Sequence, residues 1–427
     1  MIKRLLLIPF LLLSLLCSAY ASDFVTVNGK HFKRDGKPYY YIGTNLWYGP
    51  IIGSEGQGGN RERLIRELDS LKRCGIDNLR ILVGADAGSK HANTVKPYLQ
   101  PEPGELNDTL LAGLDFMLSE MGKRKMVGVL YLTNSWDWSG GYGFYLTHCG
   151  HKDSPNASGE GYNKYVKYAS QFVHSQKAIS LFHNYVRKIV GRTNRYTGKA
   201  YKDDPTIMSW QICNEPRPFA RDQETKSLFY DFISSTARLI KSIDPNHLVS
   251  TGSEGLYGCE VDEELCTRVH NNLCVDYLTV HVWPVNWGWS SRDRLYDALP
   301  NVYVKAQEYI DLHTRMAERI DKPMVIEEFG YSRDRTMYLP ESSTMARDAF
   351  YSFIFSHVVE SKRKHGVIAG CNFWGWGGEG RPAAKDWKPG DDFLGDPPHE
   401  PQGWYSVYDS DSTTIALIKK SIDDLQK

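Results

Sequence analysis

Short apolar stretches alternate with longer amphipathic stretches along almost the whole chain. Several of the short stretches are nearly continuous in apolar residues, which is typical of parallel strands covered on both faces. The predicted strands are residues 39–45, 77–83, 126–133, 207–213, 248–251, 277–282, 324–329 and 368–374. Helical periodicity between them predicts helices at residues 61–74, 110–121, 179–190, 226–243, 302–320 and 344–364.

This order of elements predicts an α/β fold, a single (β/α)₈ TIM barrel, because eight strand-then-helix units follow one another. An open doubly wound sheet is the alternative, but no G-x-G-x-x-G phosphate loop follows the first predicted strand. Only the crossover at residues 254–272 shows no clear helix. A short β-hairpin at residues 24–34, with its turn at Asn28-Gly29, precedes the barrel. Glycine-rich segments at residues 53–59, 139–143 and 375–380 predict extended loops at one end of the barrel.

The first residues have the pattern of a secretory signal peptide. Lys3 and Arg4 precede a short apolar run, and Ala19 and Ala21 predict cleavage after residue 21. An uncleaved anchor and lipid attachment at Cys17 are the alternatives. We therefore predict residues 1–21 as signal peptide and residues 22–427 as one domain, secreted or retained in the periplasm or at the cell surface, without a transmembrane segment.

The charge balance limits the kinds of binding partner, and the cysteine count limits the possible disulfides. Lys and Arg together number 51, equal to Asp and Glu, so no overall field favours nucleic acid or an anionic membrane. A neutral partner fits this balance, and we expect a monomer. Of the 8 cysteines, all but Cys17 fall in the predicted mature chain, so at least one of the other 7 is unpaired or bonded to something outside this chain. One local disulfide among Cys259, Cys266 and Cys274 is expected; a zinc site is the alternative, but its spacing is wrong.

Polar residues at the carboxyl ends of barrel strands build the active sites of this fold. Arg80, Glu215, His281, Glu328 and Trp374 lie at or near the ends of predicted strands. Two carboxylates from different strands are the minimum equipment for cleaving a glycosidic bond: one is the acid/base and the other the nucleophile. A gap of ~5–5.5 Å between them gives retention, whereas ~6.5–9.5 Å gives inversion.

We assign the acid/base role, with its proton, to Glu215, and the nucleophile role to Glu328, because two nearby carboxylates cannot both ionise easily. Either glutamate alone could be a salt-bridge partner at the barrel rim. Arg80 alone could pair with an acid inside the barrel, and His281 alone could be a core histidine. The combination of Asn214-Glu215-Pro216 with these strand-end residues is harder to explain by packing.

Two segments resemble signature motifs of glycoside hydrolase family 5. The segment from Trp210 to Arg217 (WQICNEPR) is similar to the acid/base motif, and the segment from Val325 to Gly330 (VIEEFG) is similar to the nucleophile strand. The resemblance runs from about Phe24 to the C-terminus. Within the family the chain is most similar to the endo-β-1,4-mannanases, through GTNLWY at residues 43–48, Asn214-Glu215-Pro216-Arg217 and Trp374.

The resemblance implies further roles. Asn214 would bind the sugar 2-hydroxyl, Arg80 would orient and ionise the nucleophile, and Arg217 would contact a sugar on the leaving side. His281 would line the catalytic subsite, and Trp374 would be the platform on which the sugar stacks. Trp47 and Trp136 complete the predicted substrate contacts. No cofactor or metal is expected, because no ligand cluster accompanies the two glutamates.

The sequence departs from the family pattern at one position and is ambiguous at another. Trp283 stands where the family usually has tyrosine after the histidine of the sixth predicted strand, which leaves its contact with the nucleophile open. Glu327 and Glu328 are neighbours, and only one is expected to enter the barrel mouth because alternate residues of a strand face opposite ways. The spacing to the following Phe329-Gly330 favours Glu328.

Tryptophans in predicted loops point to an open groove for a polysaccharide, although packing within the loops would explain each one alone. They are Trp136, Trp138, Trp287, Trp289 and Trp376. An open groove implies cleavage inside a chain. The resemblance therefore predicts an endo-acting, retaining β-1,4-mannanase for mannan, glucomannan or galactomannan. An endo-β-1,4-glucanase of the same family and a non-catalytic carbohydrate-binding protein are the alternatives.

Overall fold

The computed structural model describes residues 24–88 and 94–427. The predicted signal peptide lies outside the described residues. Strands β1 (Thr26–Asn28), β2 (His31–Arg34) and β3 (Lys37–Pro38) form a small antiparallel sheet. The predicted hairpin is thus present and gains a third strand.

Eight parallel strands follow and confirm the predicted barrel. They are β4 (Tyr41–Asn45), β5 (Asn78–Leu82), β6 (Val127–Tyr131), β7 (Ile207–Gln211), β8 (Leu248–Ser250), β9 (Leu278–Val282), β10 (Met324–Phe329) and β11 (Ile368–Phe373). Their order is β8-β7-β6-β5-β4-β11-β10-β9. The N–H of Asp276, just before β9, donates to the Val249 carbonyl of β8 at 2.7 Å, which brings the two ends of the sheet together.

Eleven α-helices lie in the described part of the chain. They are α1 (Gly49–Ile52), α2 (Arg61–Arg73), α3 (Asp108–Lys123), α4 (Gly141–Thr147), α5 (Tyr162–Ala169), α6 (Gln176–Val190), α7 (Gln223–Ile243), α8 (Glu263–His270), α9 (Leu299–Ile320), α10 (Met345–Arg363) and α11 (Ser412–Gln426). All six predicted helices are confirmed, with ends that move by at most three residues. None of the eleven is long and apolar enough to cross a membrane.

The crossover at residues 254–272, predicted without a helix, contains α8. Asp262 caps its first turn by accepting a hydrogen bond from the Leu265 N–H. The helix has only two turns, and its buried face consists of Leu265, Cys266, Val269 and His270. Because two turns with one polar residue, His270, on the buried face give too little apolar periodicity, the sequence pattern does not distinguish this helix from a loop.

The N-terminal sheet closes the end of the barrel at which the strands begin. Phe32 packs edge-on against Tyr277, with ring centroids 5.3 Å apart. Both belong to an apolar cluster with Tyr41, Val127 and Val325, which lie at the amino ends of their strands. The carboxyl ends of the strands therefore remain as the accessible mouth.

A long connection links β11 to the last helix, α11. Strand β12 (Trp376–Gly378) pairs in parallel with β13 (Val407–Tyr408), and the intervening residues 379–406 form what we call the β12–β13 loop. Just beyond β13, the buried Asp411 carboxylate pairs with the guanidinium groups of Arg333 at 2.7 Å and Arg347 at 2.8 Å. Both ends of the loop are thus fixed to the barrel.

The structure contains no disulfide among the cysteines it describes. Cys74, Cys149, Cys213, Cys259, Cys266, Cys274 and Cys371 are all free thiols. The local disulfide expected in the 259–274 segment is therefore not formed. Cys259 and Cys266 are fully buried, whereas Cys274 is partly exposed beyond the end of α8.

Candidate active site

A cleft of about 410 Å³ opens at the carboxyl ends of the barrel strands. Glu215 and Glu328 both line it, together with Asn214, Trp283 and Trp374. Residues that are far apart in the sequence therefore meet at one barrel mouth.

Glu328, on β10, is held by donors on both carboxylate oxygens. Arg80 Nη1, from β5, lies 2.5 Å from Oε1, and Trp283 Nε1 donates to Oε2 at 3.2 Å. The contact left open by the tryptophan substitution is therefore present, with an indole N–H as the donor. Because Trp283 can donate but not accept or ionise, its contact favours the charged form of Glu328, which is the stronger acceptor.

Arg80 is fully buried, and each of its three nitrogens has an acceptor. Besides Glu328, it donates to Asn45 Oδ1 at 3.1 Å, Gln211 Oε1 at 2.8 Å and Asn214 Oδ1 at 2.8 Å. A guanidinium held by four acceptors cannot move together with Glu328. It therefore sets the position of the Glu328 carboxylate and the orientation of Asn214.

Glu215 follows β7 in a left-handed backbone conformation, with φ of 49°. Its N–H donates to the Gly252 carbonyl at 2.9 Å, and its carbonyl accepts from Ser135 Oγ at 2.5 Å. Non-glycine residues in this conformation cost of order 1–3 kcal/mol and persist where the surroundings hold them. Here the strained backbone aims the side chain into the cleft, where Trp136 Nε1 donates to Oε2 at 2.6 Å.

His281, on β9, bridges the carboxylates. Its Nδ1 lies 2.7 Å from Glu215 Oε1 and 3.3 Å from Glu328 Oε2, and its Nε2 lies 3.4 Å from Glu327 Oε1. Burial alone would lower the pKa of His281, but the charge of Glu328 and hydrogen bonds to Glu215 and Glu327 raise it to about 10. The imidazole is therefore protonated at neutral pH.

The surroundings shift the pKa values of Glu215 and Glu328 in opposite directions. Burial raises the pKa of Glu215, but the hydrogen bond and charge of His281, the charge of Arg217 and the hydrogen bond from Trp136 together outweigh burial and bring that pKa below its ordinary value. Burial also raises the pKa of Glu328, where the charges of Glu215 and Glu327 add to the effect against His281 and Arg80. The proton that we assigned to Glu215 thus lies on the His281 side of their 2.7 Å hydrogen bond, because imidazole is the stronger base.

This protonation predicts a pH-dependent stability. His281 titrates near its ordinary pKa when unfolded and at about 10 when folded. Its contribution to the free energy of unfolding should be complete below about pH 6.5 and disappear as pH rises through 10. We expect the difference in Tm between wild type and His281→Gln to shrink between these limits. A difference independent of pH would contradict a protonated His281.

Glu327 lies deeper than Glu328, yet it also reaches the barrel interior. The pairing of β10 with β9 shifts register between Ile326 and Glu328. This irregularity breaks the alternation on which the sequence-based expectation rested, so both side chains point inward. Glu327 accepts a hydrogen bond from Gln211 Nε2 and is 1% exposed, whereas Glu328 lines the cleft.

The other predicted substrate contacts divide into two groups. Trp136, Arg217 and Trp374 line the cleft with Asn214. Trp47 does not: it is 1% exposed, donates to the Gly395 carbonyl at 3.1 Å and packs edge-on against Trp138. It lies behind the cleft wall, so its effect on substrate is indirect.

The tryptophans of the predicted loops also divide into those that line the cleft and those that do not. Trp138 and Trp287 line the cleft, and Trp289 packs against Trp287 with centroids 4.9 Å apart. Trp376 is fully buried and donates to Glu67 at 2.7 Å. Trp376 is therefore part of the protein core, and packing explains its position better than contact with a sugar.

Several cleft residues were not predicted from the sequence. They are Tyr162, Glu254, Asn286, His399 and Glu400. Glu254 pairs with Arg217 at 2.5 Å; burial raises its pKa to about 7 despite that pairing. Tyr162 begins α5 and the other four lie in loops, and none of the five belongs to a recognisable motif, so no sequence signal identified them.

One group of described residues, Glu215, His281 and Glu328, has the composition of a metal site. Their nearest ligand atoms lie within 4.8 Å of one another. Arg80 and Trp283 already donate to the oxygens of Glu328, and Trp136 donates to Glu215. A cation there would face a fixed guanidinium, so the hydrogen bonds account for this group better than a metal does.

Comparison with known proteins identifies the class. Residues 22–427 match the family model described as GH family 5 β-mannosidase-like. The chain therefore belongs to glycoside hydrolase family 5, which confirms the resemblance in its motifs, and it is a glycoside hydrolase.

Individual relatives and solved structures are consistent with membership of this family. The putative mannan endo-1,4-β-mannosidase 9 of Oryza sativa subsp. japonica is 30% identical over 364 residues, covering 82% of this chain and 81% of the relative. The crystal structure of a glycoside hydrolase family 5 mannosidase from Rhizomucor miehei has a TM-score of 0.86 at 35% identity, covering 95% and 98% of the two chains. A point mutant of a family 5 mannosidase from the same organism, in complex with mannosyl-fructose, has a TM-score of 0.87 at 34% identity, with the same coverages.

Proposed function

We propose that this protein is an endo-acting β-1,4-mannanase that hydrolyses mannan, glucomannan or galactomannan with retention of configuration. The observation that carries the proposal is the meeting of Glu215 and Glu328 across one cleft, with nearest oxygens within 4.8 Å. The mannan endo-1,4-β-mannosidase name of the rice relative and the mannosyl ligand of the Rhizomucor miehei structure support the sugar.

The short separation favours double displacement. Inverting enzymes place their carboxyl groups ~6.5–9.5 Å apart so that a water molecule fits beside the sugar, whereas retaining enzymes place them at ~5–5.5 Å. Glu215 and Glu328 oxygens within 4.8 Å of each other fit the shorter, retaining spacing. Glu328 therefore attacks the sugar itself.

In the first step a Glu328 oxygen forms a bond to the anomeric carbon as the glycosidic bond breaks. Glu215 donates a proton to the departing oxygen, and His281 supplies it through the 2.7 Å hydrogen bond. The product is a glycosyl ester of Glu328 and a free sugar hydroxyl. Arg80 and Trp283 stabilise the Glu328 carboxylate before attack and after release.

In the second step Glu215, now a carboxylate, accepts a proton from water as the water oxygen attacks the anomeric carbon. That proton passes through the same hydrogen bond to His281, which regains the proton it lost in the first step. The ester bond breaks, and Glu328 returns to its ionised form. Two inversions at one carbon give net retention. Asn214, fixed by Arg80 and by its own donation to Asn134 Oδ1 at 3.2 Å, is positioned to contact the reacting sugar.

An endo-β-1,4-glucanase would share every reacting group, so the substrate test compares two polymers. We expect reducing sugar from mannan at a rate at least about tenfold above that from carboxymethylcellulose, because one misplaced hydroxyl at a site built for another is worth roughly 1–3 kcal/mol. Mannohexaose should yield internal cleavage products, and NMR should show the β-anomer first. Faster release from carboxymethylcellulose, or an initial α-anomer, would contradict the proposal; binding without hydrolysis would favour a carbohydrate-binding protein.

Export of the chain, with the mature protein starting at Ser22, is a separate proposal. The positively charged start, the apolar run and the small residues before Ser22 support it.

A further inference from the structure

Glu327 is a buried carboxylate that takes no part in the mechanism proposed above. It lies on β10 beneath the cleft and is 1% exposed. Gln211 Nε2 donates to its Oε2, and because Gln211 Oε1 accepts from Arg80 Nε at 2.8 Å, the amide cannot turn the other way. Arg80 Nε also lies 4.0 Å from Glu327 Oε2. Burying a carboxylate is costly unless donors and cations compensate, and here they hold Glu327 in one position.

The imidazole of His281 lies between Glu327 and the acid/base. Its Nε2 is 3.4 Å from Glu327 Oε1, and its Nδ1 is 2.7 Å from Glu215 Oε1. A neutral imidazole donates from only one nitrogen, whereas the imidazolium donates from both, so carboxylate oxygens at both nitrogens favour the imidazolium. Once Nδ1 has given up its proton, Glu327 still accepts from Nε2. Nδ1 is then free to accept a proton again.

Other charged groups also face His281. Its Nδ1 lies 3.3 Å from Glu328 Oε2. Its backbone N–H donates to the carbonyl of Glu254 at 3.2 Å, and the Glu254 carboxylate interacts with it through charge. Arg80 and Arg217 bring positive charge, but Arg80 pairs with Glu328 and Arg217 with Glu254. Carboxylates therefore outnumber cations around the imidazole.

The reaction changes the charge of two of the three carboxylates that contact His281 within the described residues. Glu328 loses its charge when it becomes a glycosyl ester, and Glu215 gives a proton to the sugar and later takes one from water. Glu327 takes part in neither bond-making step, so it keeps its charge throughout. Burial lowers the pKa of His281, and the charge of Glu328 is the largest contribution that opposes burial. In the ester, where that contribution is lost, Glu327 remains as a constant partner of the imidazole.

We propose that Glu327 is a positioning residue that holds the Nε2 proton of His281, so that the Nδ1 proton is the one exchanged with Glu215 in both steps. This inference rests on the proposed function and deepens it. In the first step the Nδ1 proton replaces the one that Glu215 gives to the departing oxygen. In the second step the proton from water returns to Nδ1. A carboxylate behind a histidine fixes the tautomer in this way and stabilises the imidazolium.

The test is Glu327→Gln, which removes the negative charge and keeps the size of the side chain. Wild-type kcat/KM on mannan should fall as pH rises through about 10, where His281 loses its proton. In Glu327→Gln this alkaline limb should lie about one pH unit lower, a roughly tenfold weaker hold on the proton, while most of the activity at pH 7 remains. With 2,4-dinitrophenyl β-mannobioside, whose leaving group needs no proton, neither enzyme should show this limb.

Glu67→Gln is the matched control. Glu67 is a carboxylate that is also buried, at 2% exposure, but it bonds to Arg63 and Trp376 rather than to His281. The control should keep the wild-type alkaline limb. Equal limbs in wild type and Glu327→Gln would overturn the inference. A shift of the same size with the dinitrophenyl substrate would also overturn it, because that result indicates a structural effect.

A second measurement needs no variant of Glu327 to fold. In ¹⁵N NMR of histidine-labelled wild type above the alkaline limb, the neutral His281 imidazole should carry its proton on Nε2, with the signal assigned by its absence from His281→Gln. A proton on Nδ1 would contradict the proposed role of Glu327. If wild type hydrolyses neither mannan nor the dinitrophenyl substrate, the proposed function itself fails.

Discussion

Glu328→Gln should lower kcat on mannan by roughly 10⁴-fold or more, because it removes the nucleophile while keeping its size. An amide cannot displace the leaving group to form the glycosyl ester, and it no longer pairs with Arg80 at 2.5 Å. Initial rates on mannan and on p-nitrophenyl β-mannobioside measure the effect. Both substrates should be affected equally, since every leaving group needs the same attack.

Glu327→Gln is the matched control for this result. Glu327 is the adjacent carboxylate on the same strand, but it lies beneath the cleft and bonds to Gln211 and His281. It should keep much of the activity, because it never touches the reacting carbon. An inactive Glu327→Gln beside an active Glu328→Gln would reverse the assignment.

Glu215→Ala should lower kcat on mannan by about 10²- to 10⁴-fold, the usual contribution of a positioned general acid. The loss depends on the leaving group. With 2,4-dinitrophenyl β-mannobioside the first step needs no proton, so a rapid burst of dinitrophenol should precede slow turnover. The glycosyl ester then accumulates because water has lost its base.

Azide provides the control for this second variant. It is an anion that attacks without a general base, so it should restore turnover of Glu215→Ala and yield the β-mannobiosyl azide. It should leave the wild type unaffected. Equal losses for all leaving groups, without rescue by azide, would show that Glu215 is not the acid/base.

The sequence predicts the barrel and its reacting groups well because both depend on local patterns. Each barrel strand was located to within two residues, since apolar runs between helical stretches have few alternative readings. The rule that polar residues end barrel strands then brought together Arg80, Glu215, His281 and Glu328. Helix α8 escaped detection because it has only two turns and one of its four buried residues, His270, is polar.

Other features of the site depend on contacts that no local pattern encodes. The inward position of Glu327 follows from a register shift between two strands. Trp47 follows a strand end, as a substrate contact would, yet the β12–β13 loop covers it. The location of the proton depends on three carboxylates around His281, and Glu400 lies in a loop without a motif.

The pairing of β12 with β13 has an evolutionary consequence. Two short strands, with Asp411 clamped by Arg333 and Arg347 just beyond them, fix where the excursion leaves and rejoins the barrel whatever lies between. In the described structure the hydrogen bonds that hold Glu215, His281 and Glu328 come from residues outside the intervening segment, so the segment can vary while those three keep their partners. Descendants of this scaffold can thus acquire new sugar preferences while inheriting an unchanged reaction.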